Sequence, residues 1–215
     1  MSYIVCVGKE TFFVIGVRMN LQGNLKGIIK EIYEKQVSAD NWAGSTYSLL
    51  NLLKNDYSGK VGELFLQAMA KELNLPCEYD EDKNSTDGTY DIVINSMKIE
   101  VKTAREGAHE KGEGYGNHQH ESLRKDDDCH HYAFVDVGPN IIHLTILHKN
   151  EMEWDKKHEI LKITPHLRRS TTDQYKFDFS QAVLKRAVSA GLCLQIKKET
   201  SKQELVSFLT SRGII

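Results

Sequence analysis

The 215-residue chain has no excess of charge of either sign: 28 lysines and arginines face 30 aspartates and glutamates, a formal charge of −2. That excludes attachment to nucleic acid through a general cationic surface, though not through a local basic groove. Paired cysteines are missing too. Cys6, Cys77, Cys129 and Cys193 are scattered with no C-x-x-C among them, so neither a zinc ribbon nor a disulfide framework is expected. Reduced structural thiols in a cytoplasmic protein are the expectation. Long apolar runs are also absent. The stretch at residues 12–17 falls far short of the roughly 20 residues of a membrane span. Residues 1–10 show neither the basic start nor the sustained apolar segment of a secretory signal. No membrane partner is expected. Repeats and low-complexity linkers are not visible either.

What is present is ordinary for a globular protein: 40% hydrophobic and 27% charged residues, enough to bury a core. One domain over residues 1–215 is expected from this length. Two β-rich runs at 3–7 and 12–17 precede a helical pattern over 24–36, and a short helical segment is expected near 49–53. The clearest helix is 59–73, with Val61, Leu64, Phe65, Ala68 and Met69 on one face and Pro76 beyond its end. Two β runs at 90–94 and 97–103 follow a polar loop. After a glycine-rich loop at 106–117, a short helix is expected at 120–125. Apolar runs at 132–137 and 141–147 flank the Gly138-Pro139-Asn140 turn. Helices are expected at 151–160, 180–190 and 201–211, with a strand at 192–196. This order predicts an α/β (α+β) fold with one central sheet.

The informative segment is residues 87–103, DGTYDIVINSMKIEVKT. With Asn95-Ser96 as the loop of a hairpin, Val93 faces Lys98, Ile92 faces Ile99 and Asp91 faces Glu100. Alternation then places Ile92, Ile94, Met97, Ile99 and Val101 on one face. Asp91, Glu100 and Lys102 fall on the other, at the open end. Carboxylates directly opposite each other destabilise a sheet unless something positive lies between them. Mg²⁺ suits that position, since it favours one or two carboxylates completed by water and phosphate oxygens. Lys102 is placed to orient or deprotonate an attacking water and to offset charge developing on a phosphate. Acidic-x-Lys occurs three times, at Glu81, Asp155 and Glu100, but only the third lies in an alternating apolar strand with an acid across from it. The competing reading is an edge hairpin with one solvated charged face.

Asp91 followed by Glu100-Val101-Lys102, on a hairpin preceded by an amphipathic helix carrying Glu63, resembles the core of the PD-(D/E)XK nuclease superfamily. Tyr90 stands where that superfamily usually has proline. The resemblance covers residues 59–147 and implies a restriction-endonuclease-like core, a central mixed β-sheet flanked by helices. It implies that Asp91 and Glu100 bind Mg²⁺, with Mn²⁺ as a substitute and the Val101 carbonyl as a further ligand. Lys102 then serves the nucleophilic water. Glu63 is either an added metal ligand from the helix or a solvated helix charge. Residues 1–58 and 148–215 become elaborations for DNA contact or dimerisation. The chain's size further resembles type II restriction endonucleases, implying sequence-specific cleavage of double-stranded DNA by a homodimer. A repair, recombination or mobile-element nuclease of the same superfamily is the alternative, and a non-cleaving DNA-binding module is a rival of another class.

Charge is unevenly distributed. Residues 151–215 hold 12 Lys and Arg against 8 Asp and Glu, leaving the acidic excess in the first 150. Within that basic third, Arg168, Arg169 and Lys176 are candidates for phosphate or base contacts, with a plain surface loop as the alternative. Gln119 is either a phosphate-contacting or a surface residue. His109, His118, His120, His130 and His131 lack the partner spacing of a zinc site and are expected on a solvated loop or against phosphates. The glycine-rich loop matches no phosphate-binding fingerprint.

Overall fold

Asn95 and Ser96 both adopt positive φ, 49° and 68°, the mirror-image turn whose twist matches that of the strands it joins. They close the expected hairpin. Strands β2 (Ile92–Ile94) and β3 (Met97–Arg105) pair antiparallel, with Ile92 opposite Ile99 and Val93 opposite Lys98. The computed structural model describes residues 21–34, 45–53, 55–80, 90–106, 117–167 and 173–215. The strands expected at 3–7 and 12–17, most of the glycine-rich loop, His109, Arg168 and Arg169 lie outside these residues.

The hairpin sits inside a six-stranded mixed sheet of order β1-β2-β3-β5-β6-β9. Strand β1 (Cys77–Glu78) pairs antiparallel with β2, while β5 (His131–Val137) lies parallel to β3. Beyond it, β6 (Ile142–His148) and β9 (Cys193–Ile196) continue antiparallel. A separate sheet of order β4-β8-β7 contains β4 (His118–Leu123), β7 (His166–Leu167) and β8 (Tyr175–Phe179).

Alternation in the central strands supplies two cores. Ile99, Val101, Ala133, Val135, Leu144 and Ile146 bury one face with helices α1 (Leu21–Glu34), α2 (Asn55–Glu72) and α4 (Lys202–Ser211). The opposite face carries Tyr132, Phe134, Leu147 and Cys193. It packs against Tyr175, Phe177 and Phe179 of the second sheet and Val183, Leu184 and Ala187 of α3 (Gln181–Ser189). Helices therefore flank a central mixed sheet, as expected. Ser180 caps α3 and Ser201 caps α4, the latter in a reciprocal box with Glu204. Among the described residues, no helix is long and apolar enough to cross a membrane.

Two expected helices are not helices. Residues 120–125 belong largely to β4, where His118, His120 and Leu123 are buried while Gln119 and Glu121 are exposed. That is a strand's alternation, hidden because histidine reads as polar. Residues 151–160 form turns after a short 3₁₀ segment at Lys149–Glu151. There the His158 Nδ1 atom accepts hydrogen bonds from the Ile160 and Leu161 amides, both at 3.2 Å, which bends the chain. Trp154 meanwhile packs edge-on against Tyr132 and Tyr175. The segment near 49–53 is a single 3₁₀ turn, Ser48–Leu52.

Gly62 brings α2 close to β3. A Cβ built there would lie 2.0 Å from Thr103 Oγ1 and 3.2 Å from Val101 Cγ1. Thr103 in turn donates its hydroxyl hydrogen to the Gly59 carbonyl at 3.1 Å. Gly62→Ala gains about 1 kcal/mol of helix propensity but forces this contact apart, at about 1–3 kcal/mol for overpacking plus a lost hydrogen bond. The expected outcome is a net loss of about 1–2 kcal/mol in denaturant unfolding; an unchanged or raised midpoint would show that α2 is free to move away from β3.

Candidate active site

The ladder between β2 and β3 ends at Asp91. Its amide donates to the Ile99 carbonyl at 3.0 Å, and its Oδ2 accepts the Val101 amide at 2.7 Å. The carboxylate thus takes the place of a backbone acceptor where the strands part. Glu100, 9% exposed, points to the face that carries Lys102, and Lys102 Nζ donates to Glu100 Oε1 at 2.6 Å. Glu63, next to the Gly62 contact on α2, accepts the Tyr79 hydroxyl at 3.0 Å on Oε2. The hairpin end therefore gathers Asp91, Glu100 and Lys102, with Glu63 close enough for its charge to act on Asp91.

The electrostatics follow from crowding like charges away from water. Burial first, then the charge of Glu100, pushes Asp91 up to about 7, against the pull of the Val101 amide. Glu63 is raised chiefly by burial, with Tyr79 and Lys60 opposing and Glu100 adding to the rise. Burial works against the charge of Lys102. The adjacent Glu100, with Asp91 and Asp127, outweighs it and lifts the lysine above its ordinary value. Lys102 is thus a fixed cation at neutral pH, suited to orienting a water and offsetting phosphate charge. It is poorly suited to deprotonating anything.

Among the described residues, no group of three or more His, Cys, Asp or Glu side chains is gathered so as to hold a metal ion. Glu100 is turned to Lys102, Asp91 to the Val101 amide and Glu63 to Tyr79. Mg²⁺ does not require three such side chains, because water and phosphate oxygens complete its octahedron. Two opposed carboxylates beside a backbone carbonyl are an all-oxygen donor set of that kind. Burial and, second to it, the charge of Glu100 both disfavour an ionised Asp91, and a cation between the two carboxylates would offset both. The residues present fit Mg²⁺ or Mn²⁺.

Asp127 is the residue that motif reasoning missed. It precedes β5, is 3% exposed, and interacts electrostatically with both Glu100 and Lys102. Its Oδ2 accepts the Arg124 amide at 3.1 Å and lies 3.0 Å from the Tyr132 hydroxyl. In the sequence it is one of three consecutive aspartates, 126–128, and nothing local marks it out. The residues expected to touch DNA are on the second sheet or outside the described chain. Gln119 is exposed on β4, opposite Asp178 of β8. Lys176 on β8 is paired with Asp178 at 3.3 Å and Glu121 at 3.9 Å.

No protein-family model matches the chain, and no curated protein matches it. One solved structure, a restriction endonuclease in complex with substrate DNA, is similar over 89% of this chain and 92% of the other, at 9% identity and a TM-score of 0.45. It is a distant structural likeness; the candidate site is defined by this chain's own side chains.

Three of the histidines expected on a solvated loop or against phosphates, His118, His120 and His131, are buried. His118, His120 and His143 share the space between the two sheets with Asp136. His120 Nε2 is 2.8 Å from Asp136 Oδ1, and His143 stands opposite Asp136 across the β5–β6 ladder. His131 is buried edge-on to His148. Burial, with Asp136 opposing it, pushes His143 down to about 4. His131 falls to about 4 through burial and the neighbouring His148. Between the unfolded value near 6.5 and these folded values, the unfolded chain binds protons that the folded one refuses. The contribution of these two histidines to stability is therefore complete above about pH 6.5 and falls as the pH drops toward 4, by at most about 3 kcal/mol for each group. The raised Asp91 acts in the opposite direction over the same range. Melting temperatures of wild type and His143→Gln from pH 7.5 to 4.5 check this: the variant gains stability relative to wild type as the pH falls, and a difference that does not change with pH contradicts the assignment.

Proposed function

We propose that the chain is a Mg²⁺-dependent DNA nuclease of the PD-(D/E)XK type that hydrolyses phosphodiester bonds at the open end of the β2–β3 hairpin. The observation that carries this reading is the meeting of Asp91, Glu100 and Lys102 there, on the face turned away from the helical core. Asp91, Glu100 and the Val101 carbonyl would hold the cation, with Glu63 as a further ligand from α2 and Mn²⁺ as a substitute. When bound there, the cation supplies Lewis-acid polarisation of a phosphate oxygen. Asp91 fixes the Val101 amide and with it the orientation of the neighbouring peptide. Glu100 keeps Lys102 charged. Lys102 orients the attacking water and offsets the charge that grows on the phosphate.

Residues outside 59–147 would contact DNA or a second copy of the chain, with Arg168, Arg169, Lys176 and Gln119 as contact candidates. Lys176 would first exchange its carboxylate partners for phosphate. The finer role is sequence-specific restriction by a cytoplasmic homodimer, or repair, recombination or mobile-element processing by the same chemistry. A non-cleaving DNA-binding module is a second reading. It draws support from the Lys102–Glu100 ion pair, already closed at 2.6 Å, and from the lack of a three-donor cluster among the described residues.

Incubation with plasmid and branched DNA in Mg²⁺ separates these. Cleavage is expected from the wild type, with Lys102→Ala and Asp91→Ala each slower by about 10²-fold or more. Discrete plasmid fragments indicate restriction, and cutting confined to branched DNA indicates repair or recombination. DNA binding without cleavage in either Mg²⁺ or Mn²⁺ leaves the non-cleaving module and overturns the nuclease.

A further inference from the structure

We propose that Asp127 is a positioning residue for Lys102, holding its ammonium group in place when Glu100 turns to a cation. The proposal rests on the reading of Asp91 and Glu100 as cation ligands and adds a residue that the motif does not contain.

Lys102 is largely buried, 18% exposed in its side chain, and donates to Glu100 Oε1 at 2.6 Å. A cation on Glu100 competes for that same carboxylate, and a buried ammonium deprived of its counter-charge is strongly destabilised. Asp127 supplies a second one. It is buried, its charge acts on both Lys102 and Glu100, and it is held from two directions by the Arg124 amide and the Tyr132 hydroxyl. Tyr132 stands beside Glu100 in the parallel β3–β5 ladder, so the strand that flanks the candidate site also fixes Asp127. The Tyr132 hydroxyl is shared with the Arg124 carbonyl at 2.6 Å, which ties that loop to the same point. The next residue provides a contrast. Asp128 is exposed and spends its charge on Lys98, at 2.5 Å.

The test is calorimetric titration of Mn²⁺ into the full chain, with thermal melting in parallel. Asp127→Asn is expected to weaken Mn²⁺ binding about tenfold, as removal of an outer partner of a metal site does. Tyr132→Phe should weaken it less, in the same direction. Asp128→Asn removes the same charge one residue away and should change affinity less than about twofold, since exposed charges are screened. Equal affinity in Asp127→Asn and Asp128→Asn, at matched melting temperatures, overturns the proposal and leaves the cation reading standing. Absence of Mn²⁺ binding by the wild type overturns both. Should Asp127→Asn fail to fold, Tyr132→Phe decides: unchanged affinity in that folded variant refutes the role.

Discussion

Asn95 and Ser96, held at positive φ, fix the register in which Ile92 meets Ile99 and the chain preceding β2 meets Glu100. A strand's side chains alternate with period two, so a slip of one residue would bury Glu100 and Lys102 among the helices and expose Ile99 and Val101. The apolar face of β3 prevents that slip, because Ile99 and Val101 are locked into the core beneath α2. Gly62 draws α2 close over Val101 and Thr103 and places Glu63 near the end of the hairpin. The charged face is thus a by-product of a well-determined hydrophobic one. Its polar members are held where they would not gather by themselves.

That arrangement has an electrostatic consequence. Asp91, Glu63 and Asp127 each interact with Glu100 and with the buried Lys102, and all three are raised by burial first and by neighbouring carboxylates second. Fold stability does not call for such crowding, since well-packed apolar side chains would serve at least as well. On the proposed nuclease reading, the charge that offsets this crowding is a divalent cation with a phosphate.

Much of this was legible in the sequence, for identifiable reasons. The hairpin register could be read because Asn-Ser sits between two alternating runs, and the β5–β6 pair because both strands are almost wholly apolar around Gly138-Pro139-Asn140. Strand β4 was not legible. Its inward residues are histidines, His118 and His120, and the latter is held by a partner on another strand, Asp136, which no local pattern announces. The helix expected at 151–160 gave way to turns organised by the His158 ring and the packing of Trp154. Asp127 escaped for the same reason as β4: its significance comes from Tyr132 and from Glu100 across a parallel ladder, contacts that join distant parts of the chain.

The central claim is that the carboxylates at the hairpin end are held apart from water in wait for a cation. Melting of the wild type and Asp91→Asn at pH 7.5, each with and without excess Mg²⁺, tests it most directly. The amide keeps an acceptor for the Val101 N–H while removing the repelling charge. Without the cation, Asp91→Asn should therefore melt at or above the wild-type temperature. With Mg²⁺ at about 100 times its dissociation constant, the wild type should rise by roughly 5 °C or more and the variant should not. A variant that melts well below the wild type without the cation, and a Mg²⁺ response equal in both, would contradict the account.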